Sequence, residues 1–97
     1  MPKAKSLDAN AVLFGTIIYR MRTERRWTLE DLGRVSGMNS DWLGVLERGL
    51  NVPSLTTILR LADAFGVEAA SLVRDVELLR TWKNASAEEE PNPAEPC

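Results

Sequence analysis

The chain predicts an all-α fold: a compact five-helix bundle with a long C-terminal helix and a disordered acidic tail. Three observations predict it. Apolar residues recur at three- and four-residue spacing in successive stretches, as a helix with one buried face requires. Helix-starting residues (Asp8, Thr28, Asn39, Ser54) and helix-stopping glycines (Gly37, Gly49, Gly66) punctuate those stretches. With 97 residues, 44% of them hydrophobic, the chain suffices for one domain around one modest core.

Residues 1–8 are polar and expected to be flexible, with Asp8 or Ser6 opening the first helix. From there to about Arg25, Phe14, Ile18 and Met21 repeat at i, i+4, i+7, and Leu13 and Ile17 widen the stripe. Arg20 and Glu24 lie opposite. Arg22, Arg25 and Arg26 close the helix, where cations suit the negative end of its dipole. Trp27 enters the next helix as an apolar residue expected to be buried.

Residues 28–49 hold the pattern around which the rest is organised. Thr28 caps a helix with Asp31 as its capping-box partner, and Leu29, Leu32 and Val35 recur until Gly37 stops the run. Asn39 then caps a second helix, Met38 and Leu43 occupy the two positions of a hydrophobic staple, and Gly49 supplies the left-handed residue that ends it. Two short helices joined by a Gly-containing turn make a helix-turn-helix.

Pro53 forbids simple continuation of that helix, and Ser54 caps a fourth. Leu55, Ile58, Leu59, Ala62 and Phe65 form its stripe, stopped by Gly66. A fifth helix is expected from about Glu68 to Lys83, with Ala69, Leu72, Val73, Val76, Leu79 and Trp82 on one side. A helix that only closed the core would end near Val73. The apolar residues beyond it make Leu72, Val76, Leu79 and Trp82 candidates for a two-fold dimer interface, the alternative being that the extension folds back on its own core. Residues 84–97 carry three prolines, four carboxylates and no aliphatic side chain larger than Ala, a composition expected to stay disordered. Cys97, inside that tail, reads as an incidental exposed thiol.

The formal charge of -2 is unevenly spread. Residues 1–83 hold all twelve Lys and Arg and ten of the fourteen Asp and Glu, a net of +2, whereas residues 84–97 hold the other four acids. The negative sign belongs to the tail. With no His and one Cys, the chain offers neither a zinc site of usual spacing, nor a disulfide framework, nor a Cys-His pair, so neither an enzyme nor a cofactor is expected. No apolar run approaches the roughly 18 residues that span a bilayer, and no apolar segment follows the basic first residues as in a signal peptide. A cytoplasmic protein without membrane partners is expected.

Residues 14–73 resemble the DNA-binding domain of the Xre/Cro family of phage and bacterial repressors. The resemblance is carried by Phe14-Gly15, Ile18, Met21-Arg22, Trp27-Thr28, Leu32, Ser36-Gly37-Met38, Leu43, Leu46-Glu47-Arg48-Gly49, Pro53-Ser54-Leu55 and the run from Leu59 to Val67. It implies a five-helix domain in which Arg22 and Glu47 form a structural ion pair locking the third helix to the scaffold. It further implies that the third helix lies in the major groove of double-stranded DNA while the second crosses the backbone. By position, the base-reading candidates are Asn39, Ser40, Asp41, Gly44, Val45 and Arg48, with Leu43 and Leu46 in the core and Trp42 at the core edge or groove wall. Thr28, Asn51 and Ser54 are candidates for phosphate contacts, and so are the cations Arg25, Arg26, Arg34 and, a second time, Arg48.

Three features depart from the pattern. Leu29 stands where many relatives carry a Gln that anchors the helix on DNA. No Lys, Arg or Gln precedes Arg48 on the reading helix, although those side chains make the strong bidentate base contacts. Asp41 adds a negative charge, suited to a cytosine amine or to the helix N-terminus. The leading expectation is a homodimeric, sequence-specific regulator of transcription, repressor-like, on a pseudo-palindromic operator. Its rival is a protein-interaction module, an anti-repressor or partner-binding regulator, that kept the fold and weakened its DNA reading in favour of a protein partner.

Overall fold

The computed structural model describes residues 7–89, with side chains as far as residue 83. Five helices follow in order: α1 (Ala9–Glu24), α2 (Leu29–Ser36), α3 (Ser40–Glu47), α4 (Leu55–Phe65) and α5 (Ala69–Glu89). Of the flexible N-terminus, residues 1–6 lie outside the described residues, as does the tail from residue 90 with Cys97.

The caps stand where local chemistry demands them. The Asp8 carboxylate accepts from the backbone N–H groups of Asn10 and Ala11 at 2.9 and 3.0 Å. Thr28 and Asp31 exchange both capping-box hydrogen bonds, Asn39 accepts from the Trp42 N–H, and Ser54 accepts from the Thr57 N–H. Each such group satisfies a donor that a helix start leaves unpaired, worth typically about 1 kcal/mol. Gly37 and Gly66 end α2 and α4 in the left-handed region, at φ 75° and 73°.

One core joins all five helices: Phe14, Ile17 and Ile18 from α1, Leu32 from α2, Leu43 and Leu46 from α3, Leu61, Ala62 and Phe65 from α4, and Leu72 from α5. Met21, Trp27, Met38 and Trp42 pack half-buried around it, so Trp42 belongs to the core edge. Gly15 lets α1 cross the end of α3 backbone to backbone, because a Cβ there would stand 2.5 Å from the carbonyl oxygens of Leu46 and Glu47.

The apolar stripes of α2, α4 and α5 outlast this core. Val35, Leu55 and Leu59 are exposed, and α4 turns Ile58, Leu61, Ala62 and Phe65 inward instead. With Ala11, Phe14, Val52, Pro53, Val73 and Val76, Ile58 borders an apolar groove of about 210 Å³. On α5 the expected interface divides. Leu72 is fully buried and offers a partner nothing; Val76 and Leu79 are half-buried against the core; Trp82 and Leu78 are 68% and 60% exposed.

α5 also runs past its expected end. Residues 84–89, expected as the start of the disordered tail, continue the helix to Glu89. Ala and Glu dominate that stretch and carry high helix propensity, while the nearest proline, at position 91, disfavours helix only from the residue before it.

Candidate nucleic-acid interface

The α2-turn-α3 unit is fixed to the scaffold from below. Arg22 donates from Nε to Glu47 Oε2 at 2.6 Å, from Nη2 to Glu47 Oε1 at 3.0 Å and from Nη1 to the Trp27 carbonyl at 2.8 Å. Its forked contact with Glu47 leaves the two side chains only 12% and 6% exposed, and the hydrogen bond that it donates to Glu47 raises the guanidinium pKa further above its ordinary range. Bidentate geometry specifies direction as well as distance, so the end of α3 is held in one orientation relative to α1.

At the other end, Gly37 turns the chain and the Met38 N–H donates to the Gly33 carbonyl at 3.1 Å. A Cβ on Gly33 would stand 2.8 Å from the Met38 carbonyl oxygen. The turn is therefore packed onto α2 as closely as the backbone permits, and α3 is presented as a rigid projection.

Of the residues expected to meet bases, Asp41 is exposed while Ser40 and Val45 are half-exposed. Asn39 is exposed, but its Oδ1 is engaged as the α3 cap at 3.0 Å from the Trp42 nitrogen, so the amide NH₂ is what it offers outward. Gly44 is a correction: it is buried, with no side chain on the displayed face, and the position its Cβ would take lies 3.4 Å from Leu29 Cδ1. It is the point where α2 crosses α3. Arg48 is exposed and caps the C-terminus of α3 through its backbone N–H.

The expected phosphate contacts divide similarly. Thr28, Arg26, Arg34, Asn51 and Ser54 are all exposed. Arg34 donates to Asp31 at 2.6 Å in a solvent-facing pair, which leaves the rest of its guanidinium free to turn outward. Arg25 is a second correction. Its guanidinium donates to the carbonyls of Met21 and Phe65 at 2.9 and 3.2 Å and lies 4.9 and 5.8 Å from the ring centres of Phe65 and Trp27, which stack on each other. Arg25 ties the end of α1 to the end of α4 and is spent within the fold. Sequence reading misses this role because the Phe65 carbonyl is 40 residues away; an arginine in a last helical turn two residues before a tryptophan is the only local sign.

A helix-turn-helix domain family matches residues 13–76, more than half of the chain. The chain belongs to the helix-turn-helix family. Within it, the HTH-type transcriptional regulator y4dJ of Sinorhizobium fredii is 38% identical over 61 residues, covering 63% of this chain and 79% of that protein. The restriction-modification controller protein C.AhdI from Aeromonas hydrophila superposes with a TM-score of 0.64 at 35% identity, over 67% of this chain and 98% of that one. SinR, the master regulator for biofilm formation solved in complex with DNA, gives a TM-score of 0.58 at 24% identity over 62% and 97% of the two chains, a likeness of fold. As a helix-turn-helix protein the chain is a transcriptional regulator of a DNA-binding family. Among the described residues no helix is long and apolar enough to cross a membrane.

Proposed function

We propose that the chain is a sequence-specific, repressor-like regulator that binds double-stranded DNA as a homodimer, laying α3 of each copy in the major groove of a pseudo-palindrome. The observation that carries this reading is the Arg22–Glu47 fork, which holds out a helix whose Asp41 is exposed and whose Ser40 and Val45 are partly exposed. Asn39 and Ser40 hydrogen-bond base edges, Asp41 accepts from a cytosine amine and Val45 meets a thymine methyl. Thr28, Arg26, Arg34, Asn51 and Ser54 hold the backbone. Dimerisation through Leu78 and Trp82 at the far end of α5, continued by Val76 and Leu79, sets half-sites about one helical turn apart.

Selection of bound sites from a random duplex library, beside a mass measurement of the free protein, tests this. A palindromic consensus and a dimer mass are expected; no enriched site at low salt rejects the reading. Asn39→Ala and Arg48→Ala should both weaken binding, and only the former should relax sequence choice. Because Asn39 also caps α3, Asn39→Ser, which keeps a cap, separates the amide contact from helix stability. The rival reading, a protein-interaction module, is favoured by the exposed Asp41 on a reading helix with no cation before Arg48. It predicts a stable hetero-complex on co-purification together with undetectable DNA binding at low salt.

A further inference from the structure

Arg48 stands at the C-cap of α3, yet its guanidinium does not extend away from the helix. A Cβ built on Gly44, one turn earlier, would stand 3.5 Å from Arg48 Nη1 and 3.4 Å from Leu29 Cδ1. The notch left by the missing side chain thus has the Leu29 methyl at one side and the Arg48 guanidinium at the other. Among the described residues no carboxylate pairs with Arg48; the side-chain ion pairs there are Arg22–Glu47 and Arg34–Asp31. The cation lies back along α3 without a counter-charge, and its hydrogen-bonding fork is unspent.

We propose that Gly44 and Leu29 are positioning residues that hold the Arg48 guanidinium back along α3, ready for a DNA backbone phosphate beside the first turn of α2. The inference rests on the DNA-binding reading above. One departure from the family pattern acquires an explanation. Leu29, in place of a polar anchor, supplies an apolar wall, and the anchoring hydrogen bonds come from Arg48 instead. A phosphate is the target because the guanidinium is drawn toward α2, the helix that crosses the backbone in this docking mode, and its planar fork matches phosphate oxygens.

The salt dependence of binding reads this out, since each phosphate neutralised contributes about 0.9 to the slope of log K against log salt. The test uses the full chain and two mixed-sequence duplexes, one A·T-rich and one G·C-rich. Arg48→Ala should lower the slope by about one on both. Gly44→Leu fills the notch and should lower the slope as Arg48→Ala does, with no further loss in the double variant. A wild-type slope for Gly44→Leu or Arg48→Ala, or a loss confined to one duplex, overturns the assignment. In case Gly44→Leu does not fold, NMR of the unaltered free protein decides: through-space contacts between the Gly44 Hα and Arg48 side-chain protons are expected, and their absence overturns it. No binding of the wild type to either duplex at low salt rejects the DNA-binding reading itself, a distinguishable result.

Discussion

Arg26 holds φ at 60°, the left-handed position that glycine occupies at Gly37, Gly49 and Gly66. Its N–H donates to the Thr23 carbonyl at 2.9 Å and the next N–H, of Trp27, reaches back to Arg22 at 3.2 Å, so the residue closes α1 where glycine would be easier. A side chain there costs about 1 kcal/mol. Arg26→Gly should therefore stabilise the fold by about 0.5–1 kcal/mol, a rise of a few degrees in Tm, while weakening binding to a mixed-sequence duplex at low salt. Thermal melts and titrations of the one variant check both halves; a fall in Tm would sink the strain argument. At this scale the sequence is legible wherever the rule is local. Thr28 with Asp31, Asn39, Ser54 and Gly66 act within three or four residues of themselves, and Arg22 with Glu47 is reached through the family pattern. Arg25 is not legible, because its partner carbonyl lies on another helix. Gly44 is misread for a related reason: only the crossing of α2 shows that its missing side chain is room for Leu29.

Among the elements, α2 is the shortest to depend on one titrating cap. The Thr28 N–H donates to Asp31 at 2.8 Å, and with the Arg34 guanidinium and the Thr28 hydroxyl it holds the Asp31 carboxyl below its ordinary range. A carboxyl with a lowered folded-state pKa contributes stability that is complete above its unfolded value, about 3.9, and that is lost as pH falls through the folded value. Melts followed by circular dichroism should thus show the wild type losing more Tm than Asp31→Asn between pH 5 and pH 2.5. Equal losses would mean that the capping box does not couple to stability. The stripes of α2, α4 and α5 were readable as helices but not as burial patterns. Periodicity says which side chains share a face, and it cannot say how far along that face the neighbouring helices reach. Hence Leu55 continues the α4 stripe yet is exposed, and α5 carries Leu78 and Trp82 beyond anything in its own core. If those two residues seal a dimer, a Leu78→Ser, Trp82→Ser variant should be monomeric by light scattering with an unchanged far-ultraviolet spectrum. In contrast, Leu72→Ala should cost about 2–5 kcal/mol in the monomer itself, because it empties part of the shared core.

For the whole molecule, the order and number of helices follow from the sequence, while their arrangement around one core does not, since which residues meet is set by crossings such as Gly15 against the end of α3. Charge is the property best judged over the entire chain. Residues 1–83 sum to +2 and residues 84–97 to -4, so a DNA-binding body is covalently joined to a segment that DNA repels. Leu72 is the last fully buried residue of α5 among the described residues, Val76 and Leu79 pack half-buried beyond it, and Leu78 and Trp82 also precede the cut, so a chain ended after Lys83 keeps all five. Its net charge changes from -2 to +2. Long-range repulsion acts over a screening length of about 10 Å at 0.1 M salt and about 3 Å at 1 M. The shortened chain should therefore bind a mixed-sequence duplex several-fold more tightly than the full chain at 0.05–0.1 M salt, chiefly through faster association, and the advantage should shrink as salt rises. Association rates measured across that salt range, with masses checked to be equal, decide it: identical rates for the two chains at the lowest salt would show that the acidic segment does not oppose DNA binding.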